Sequence, residues 1–255
     1  MVIDWGKLDD SEADELNELF EENFESYLSG DSKALQSCLQ NLKSLLDVES
    51  DYFEEILEEL PEETPTSFVK AVLDFGDDED DFVVNVLSVL PKYLKIDDSD
   101  LRRMMTLTEE PHAGGDEFID SQCGRATVAI NVHTSEDLLL ELAGDKRWEI
   151  RFRVALHPKI TREIALQIIE SKEYDGIPEL ESDVLTGLAT NPNLDLQTLE
   201  LLANHPERVV RTAVKLNPST PDNLKKLTEE LGTDAELPST RLSWWEWLKP
   251  NNEQN

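Results

Sequence analysis

Cysteine, long apolar runs and basic residues are all scarce in this sequence. Its 255 residues include 2 cysteines, Cys38 and Cys123, which lie far apart. Two distant cysteines make neither a disulfide framework nor a zinc or iron–sulfur site, and they suit a reducing compartment. The best apolar run, from Phe82 to Leu90, is interrupted by polar residues and falls short of the ~20 residues that a membrane span needs. The N-terminus also lacks the basic and apolar regions of a signal peptide, so we expect a soluble, cytoplasmic protein with no membrane partner.

The shortage of basic residues is concentrated in the first half of the chain. Residues 1–121 hold 34 acidic and 8 basic side chains, a net charge of −26, whereas residues 122–255 hold 22 and 15, a net charge of −7. A surface of this sign repels nucleic acid and attracts basic proteins. We therefore expect a protein partner with a basic surface and no direct binding of nucleic acid.

No arrangement of residues typical of a catalytic or metal site can be identified. His112 precedes Gly114-Gly115, but neither a nucleophile nor a phosphate-binding glycine motif accompanies it. The acidic run from Asp77 to Asp81 lacks the alternation and the central glycine of a calcium loop, so a solvated helix start explains it better. The sequence predicts no enzyme, no cofactor and no metal.

A helix–turn–helix pattern recurs in the second half of the chain. It is clearest from Val209 to Leu227, which reads VVRTAVKLNPSTPDNLKKL, and its turn begins at Asn217-Pro218. The same pattern recurs around His157-Pro158 and Asn191-Pro192, with a looser copy at Asn131-Val132. A spacing of about 25–35 residues between such units is typical of a solenoid.

Elementary physical chemistry explains the residues of each unit. An apolar pair four residues apart, such as Val210 and Val214, gives the first helix one buried stripe. Proline ends that helix, and asparagine before it tolerates a left-handed conformation. Threonine or serine then supplies an N-cap for the second helix, as at Thr134, Thr161 and Thr220. Because one unit buries too little to fold alone, stacking has to supply the core.

The pattern from Val210-Arg211 to Leu227 resembles the bacterial variant leucine-rich repeat, within the wider class of HEAT-like α-solenoids. The resemblance covers residues 122–228, and the chain departs from the pattern at Val132, where proline is usual, and at Leu185, where arginine is usual. It implies an all-α fold, a right-handed α-solenoid of stacked short helix pairs. It also implies a non-catalytic protein that binds other proteins along its curved faces.

Three regions follow from these patterns. Residues 1–121 form an acidic helical region, beginning with a helical hairpin that ends near Asp47 and with room for two degenerate repeats at Leu60-Pro61 and Leu90-Pro91. Residues 122–230 form the repeat solenoid, and residues 231–255 form a tail with a Trp-rich segment. Two irregular stretches are predicted as a long loop, 109–124, and as an insertion, 171–182.

Two groups of residues are candidates for binding a partner protein. Arg125, Arg151 and Arg211 each lie six residues before a turn, so stacking would align them. They would form either an internal ladder that fixes the repeat register or a ridge for an anionic ligand. Trp244, Trp245 and Trp247 would either cap the open end of the solenoid or dock onto a partner.

These observations favour a non-enzymatic adaptor that binds a protein through its curved surface and its acidic N-terminal half. The alternative is an acidic mimic of nucleic acid that inhibits a DNA- or RNA-binding protein by occupying its basic groove.

Overall fold

A computed structural model of the chain describes residues 10–47, 52–75, 81–106, 124–171 and 178–233. Within these ranges the chain forms fourteen helices and no strand, which confirms the all-α prediction. The helices are α1 (Asp10–Leu28), α2 (Ala34–Asp47), α3 (Tyr52–Glu58), α4 (Thr66–Phe75), α5 (Asp81–Val89), α6 (Asp98–Thr106), α7 (Gly124–Ile130), α8 (Glu136–Ala143), α9 (Trp148–Ala155), α10 (Arg162–Glu170), α11 (Pro178–Thr190), α12 (Leu196–Ala203), α13 (Arg208–Leu216) and α14 (Asp222–Leu231).

The chain divides into two compact units, Met1–Thr127 and Val128–Asn255. The division falls inside α7, a few residues after the predicted limit of the acidic region.

The first unit begins with the predicted helical hairpin. Helices α1 and α2 pack against each other, and the turn between them contains Gly30 at φ 107°, a left-handed conformation that favours glycine. Phe24 contacts the edge of Phe68 with ring centroids 5.7 Å apart, which ties α1 to α4. Further along, α3 packs on α5 and α4 packs on α6. The first helix of the α3–α4 pair therefore contacts the first helix of the α5–α6 pair, and the second helix contacts the second.

The second unit shows the same alternation more regularly. The first helices α9, α11 and α13 pack in one row, while the second helices α8, α10, α12 and α14 pack in another. Each helix turns its apolar stripe inward, as the i, i+4 spacing predicts: Val210 and Val214 of α13 are both fully buried.

The turn at Asn217 does not have the conformation that the sequence predicted. Asn217 has φ −62° and ψ 127°, an extended rather than a left-handed conformation. Thr161 caps α10 as predicted, accepting a hydrogen bond from the Ile164 amide at 3.4 Å. Thr134 instead donates to the carbonyl oxygen of Val128 at 2.7 Å. The asparagine at these turns is therefore needed for its side chain rather than for a permissive backbone.

The degenerate turns of the first unit lie one residue later than predicted. The Thr64 amide donates to Pro61 O at 2.9 Å, as the Thr220 amide donates to Asn217 O at 3.1 Å. The Leu94 amide likewise donates to Pro91 O at 3.1 Å. Pro61 and Pro91, rather than Leu60 and Leu90, thus correspond to Asn217.

Several predicted features lie outside the described residues. They are most of the predicted loop at 109–124, His112 within it, residues 77–80 of the acidic run, and the Trp-rich segment. The predicted insertion at 171–182 is partly helical, because α11 begins at Pro178.

Candidate binding surface and the turn ladder

Four polar residues begin the turns of the second unit: Asn131, His157, Asn191 and Asn217, here called the turn residues. All four are buried, with at most 2% of each exposed. Each accepts a hydrogen bond from the amide two residues later, through Oδ1 in the asparagines and Nδ1 in the histidine. The amides belong to His133 at 2.9 Å, Lys159 at 3.1 Å, Asn193 at 3.0 Å and Ser219 at 2.8 Å.

The remaining polar side-chain atom of each later turn residue is a nitrogen, Nδ2 in asparagine or Nε2 in histidine. It contacts a backbone oxygen of the preceding repeat. His157 Nε2 lies 2.9 Å from Asn131 O, and Asn191 Nδ2 donates to His157 O at 3.0 Å. Asn217 Nδ2 donates to Asn191 O at 2.8 Å. The turn residues therefore form a continuous ladder of side-chain to backbone hydrogen bonds across four repeats. Asparagine and histidine share this ability because each presents an acceptor and a donor on one short side chain.

The ladder determines the protonation state of His157. Because Nδ1 accepts from the Lys159 amide, Nε2 has to carry the proton that bonds Asn131 O. Burial lowers the pKa of His157 from 6.5 to about 4; the bond to Asn131 O opposes this shift, and the charge of Lys159 adds to it. His157 is thus a neutral structural residue.

The predicted arginine row is largely internal. Arg151 is fully buried, and its guanidinium donates to the backbone oxygen of Asp145. Arg211 is 6% exposed and donates to His205 O at 2.6 Å and to Gly232 O at 2.9 Å. Both arginines therefore bind the connection that leads into their own helix, and Arg211 also binds the end of α14. Little of either side chain is exposed for a partner to contact.

The remaining members of that row differ from these two. Arg125 is half-buried at the start of α7, and Leu185 occupies the equivalent position in α11. The hydrogen bonds described above join Arg151 and Arg211 to backbone carbonyl oxygens. The row is consistent with an internal role in repeat register and does not form a continuous exposed ridge.

The most distinctive surface is on α1. Its exposed side carries six carboxylates, here called the acidic stripe: Asp14, Glu15, Glu18, Glu21, Glu22 and Glu25. Within the part of the chain that the structure describes, the five glutamates of the stripe form no ion pair. Exposed carboxylates of this kind can pair with basic side chains of a partner.

Two leucines lie on the same exposed side of α1. Leu19 is 40% exposed and Leu28 is 39% exposed, whereas the aromatic residues Phe20, Phe24 and Tyr27 of the same helix are buried. An exposed leucine among carboxylates offers apolar contact together with charge. The combination suits a protein partner with both basic and apolar side chains.

Chemically reactive groups are few among the described residues. Burial raises the pKa of the Cys38 thiol to about 11, so this thiol is a poor nucleophile. Asp74 Oδ1 forms an ion pair with the guanidinium of Arg103 at 2.5 Å. In the described ranges, no cluster of three or more His, Cys, Asp or Glu side chains could hold a metal ion. None of the helices described has both the length and the apolar character to cross a membrane.

A comparison of the chain with protein-family models, with curated proteins and with solved structures gave no match. The site residues alone therefore carry the functional argument.

Proposed function

We propose that this chain is a non-enzymatic adaptor, an α-solenoid of HEAT-like helix pairs whose acidic N-terminal half binds a protein with a basic surface. The observation that carries the proposal is the acidic stripe of α1, whose glutamates are exposed and form no ion pair within the described residues. The solenoid part rests on the two rows of helices in the second unit and on the turn ladder that connects them.

The energetics of α1 favour a binding role for its charge. Glu18 and Glu22 are four residues apart, as are Glu21 and Glu25, and each such like-charge pair costs a helix about 0.2–0.5 kcal/mol. Lysine at one position of each pair would make the isolated helix more stable. A basic partner that approaches the stripe removes this repulsion and adds attraction, so the unfavourable charge becomes useful only in a complex.

The geometry of the stripe favours a protein partner over mimicry of nucleic acid. Its six carboxylates span eleven residue steps, or about 16 Å along the helix. That is roughly one charge per 3 Å, close to the ~3.4 Å between phosphates along one DNA strand, so charge spacing does not separate the two functions. The exposed Leu19 and Leu28, however, have no counterpart in a phosphate backbone. This difference favours the adaptor.

Neutralising the stripe tests the proposal. The variant E18Q/E21Q/E22Q/E25Q removes four charges from α1, and the matched control E163Q/E170Q/E200Q/E230Q removes four exposed charges from the second helices of the second unit. Each immobilised full-length protein is incubated with native lysate at about 50 and 200 mM salt, and the bound proteins are quantified by mass spectrometry. We expect wild type and control to retain a common set of basic proteins that the stripe variant loses.

Other outcomes contradict the proposal in distinguishable ways. Equal recovery by all three proteins would show that the stripe is not the binding surface. Enrichment of nothing above bare matrix would argue against an adaptor altogether. If short duplex DNA displaces the retained proteins, the mimic replaces the adaptor as the better explanation.

A further inference from the structure

Three positions in each of the first three repeats of the second unit face the repeat that follows. Counted from the turn residue, they lie two residues before it, eight after it and twelve after it. In the first three repeats all nine residues are apolar, and eight of them are at most 1% exposed. They are Ala129, Leu139 and Ala143; Ala155, Ala165 and the half-buried Ile169; and Ala189, Leu199 and Ala203.

Hydrogen bonds show which way these positions face. Asn191 Nδ2 donates to Ala155 O at 2.9 Å, and Asn217 Nδ2 donates to Ala189 O at 2.7 Å. In the second row of helices, Ser171 Oγ lies 3.4 Å from Ala143 O, while its proton goes to Gln167 O at 2.7 Å. In every case the contacting side chain belongs to the next repeat, so these positions form the surface on which that repeat stacks.

In the last repeat the same three positions carry charge. They are occupied by Lys215, Lys225 and Glu229, and Lys215 Nζ lies 3.0 Å from Glu229 Oε1. The side chains of this ion pair are 35% and 53% exposed, where the equivalent alanines are fully buried. The surface formed by these residues on α13 and α14 is here called the outer face.

Charge at these positions opposes further stacking. An exposed ion pair contributes little stability, so the pair is not needed to keep α13 packed on α14. Burying three charged side chains under another helix pair would instead require their desolvation, which strongly opposes association. Terminal repeats of stacked arrays need a polar outer surface for this reason.

We infer that Lys215, Lys225 and Glu229 terminate the array and keep the outer face from pairing with a second copy of this chain. Helices α13 and α14 continue the two rows of helices, and Leu216, next to Lys215, is 58% exposed. A second copy is the relevant occupant because the chain itself supplies helix pairs that stack on such a surface. The inference does not depend on the proposed function.

The test restores the apolar residues of the earlier repeats. The variant K215A/K225L/E229A is compared in the full chain with R208A/K226L/E230A, which makes the same changes in charge at exposed positions of α13 and α14. Sedimentation velocity over a range of concentrations reports self-association, and circular dichroism reports folding. We expect the first variant to self-associate at least about tenfold more tightly than wild type, and the control to match wild type.

Several results would overturn the inference. A folded K215A/K225L/E229A protein that sediments like wild type would show that charge does not close the face, and equal association of both variants would show an unspecific effect. If the triple variant does not fold, the milder K215A/E229A, compared with R208A/E230A, has to show increased association. If W244A/W245A/W247A alone causes self-association, the tryptophan segment covers the outer face and charge does not close it.

Discussion

The side-chain Nδ2 of Asn217 lies 2.8 Å from the backbone carbonyl oxygen of Asn191, one repeat earlier in the chain. The same relationship joins Asn191 to His157 and His157 to Asn131. Each of these three residues makes one hydrogen bond within its own turn and one to the preceding turn. The ladder therefore couples the local conformation of a turn to the stacking of repeats.

The substitution Asn191→Ala should destabilise the second unit by about 2–4 kcal/mol. It removes bonds to Ala155 O and His157 O and leaves buried backbone groups unsatisfied, each of which costs about 1–3 kcal/mol. Denaturant titration followed by circular dichroism measures the change. Asn193→Ala, at an exposed position in the same turn, should cost less than about 0.5 kcal/mol. An equal effect of both substitutions would contradict the structural role of the ladder.

Stability should decline as the pH falls from about 6.5 towards 4, because of His157. Burial lowers the pKa of this side chain from 6.5 to about 4, so the unfolded chain binds a proton in this range while the folded chain does not. The stabilisation is fully present above pH 6.5, and about 3 kcal/mol is lost by pH 4. Denaturant midpoints measured at intervals across this range report the loss.

His157→Asn provides the matched control for this pH dependence. Asparagine occupies the equivalent position in the other three repeats of the ladder and keeps both an acceptor and a donor. We expect the variant to fold and to lose the part of the acid sensitivity that His157 contributes. A variant with an unchanged pH profile would assign that sensitivity to carboxylates elsewhere.

Arg211→Met should destabilise the protein by about 2–4 kcal/mol. The guanidinium of Arg211 donates to His205 O, Pro206 O, Leu231 O and Gly232 O, and methionine satisfies none of these carbonyls. Arg211→Lys should recover only part of the loss, because an ammonium group cannot reproduce the planar arrangement of donors. The exposed Arg208→Ala serves as the control and should change thermal stability little. A neutral Arg211→Met would contradict the internal role assigned to this arginine.

Gly187→Val should destabilise the second unit by about 1–2 kcal/mol through a clash with Phe152. A Cβ atom at Gly187 would lie 2.6 Å from Phe152 Cε2 and 3.0 Å from Cδ2. In a Phe152→Ala background the same change should be neutral or stabilising, because valine has a higher helix propensity than glycine. A double-mutant cycle measured by denaturation quantifies the coupling. Additive effects would show that the ring does not restrict this position.

The stripe variant E18Q/E21Q/E22Q/E25Q should be more stable than wild type, by about 0.5–1 kcal/mol at low salt. It removes the like-charge pairs along α1 that cost about 0.2–0.5 kcal/mol each. Rising salt should reduce the difference because it screens exposed charges. Thermal unfolding at two salt concentrations tests this. A less stable variant would mean that the glutamates support the helix rather than oppose it.

The sequence by itself determined the helices and the position of the repeats. Apolar spacing such as Val210 with Val214, proline after the turn, and Gly30 between α1 and α2 are local features, and local propensities act before any long-range contact forms. The concentration of acidic residues at the N-terminal end was equally readable, because charge is a property of composition. These features account for the all-α class and for the candidate surface on α1.

Only the tertiary structure decided what the polar residues do. Asn191 and Arg211 act through backbone carbonyls of other segments, and the distance in sequence to those carbonyls does not reveal their proximity in space. Leu19 shares the helical spacing of Phe20, yet only the packing of α1 on α2 leaves it exposed. The charges of Lys215 and Glu229 stand out only by comparison with the buried alanines at the equivalent positions of earlier repeats. Long-range packing decides burial, and burial decides whether a polar group supports the fold or remains available for binding.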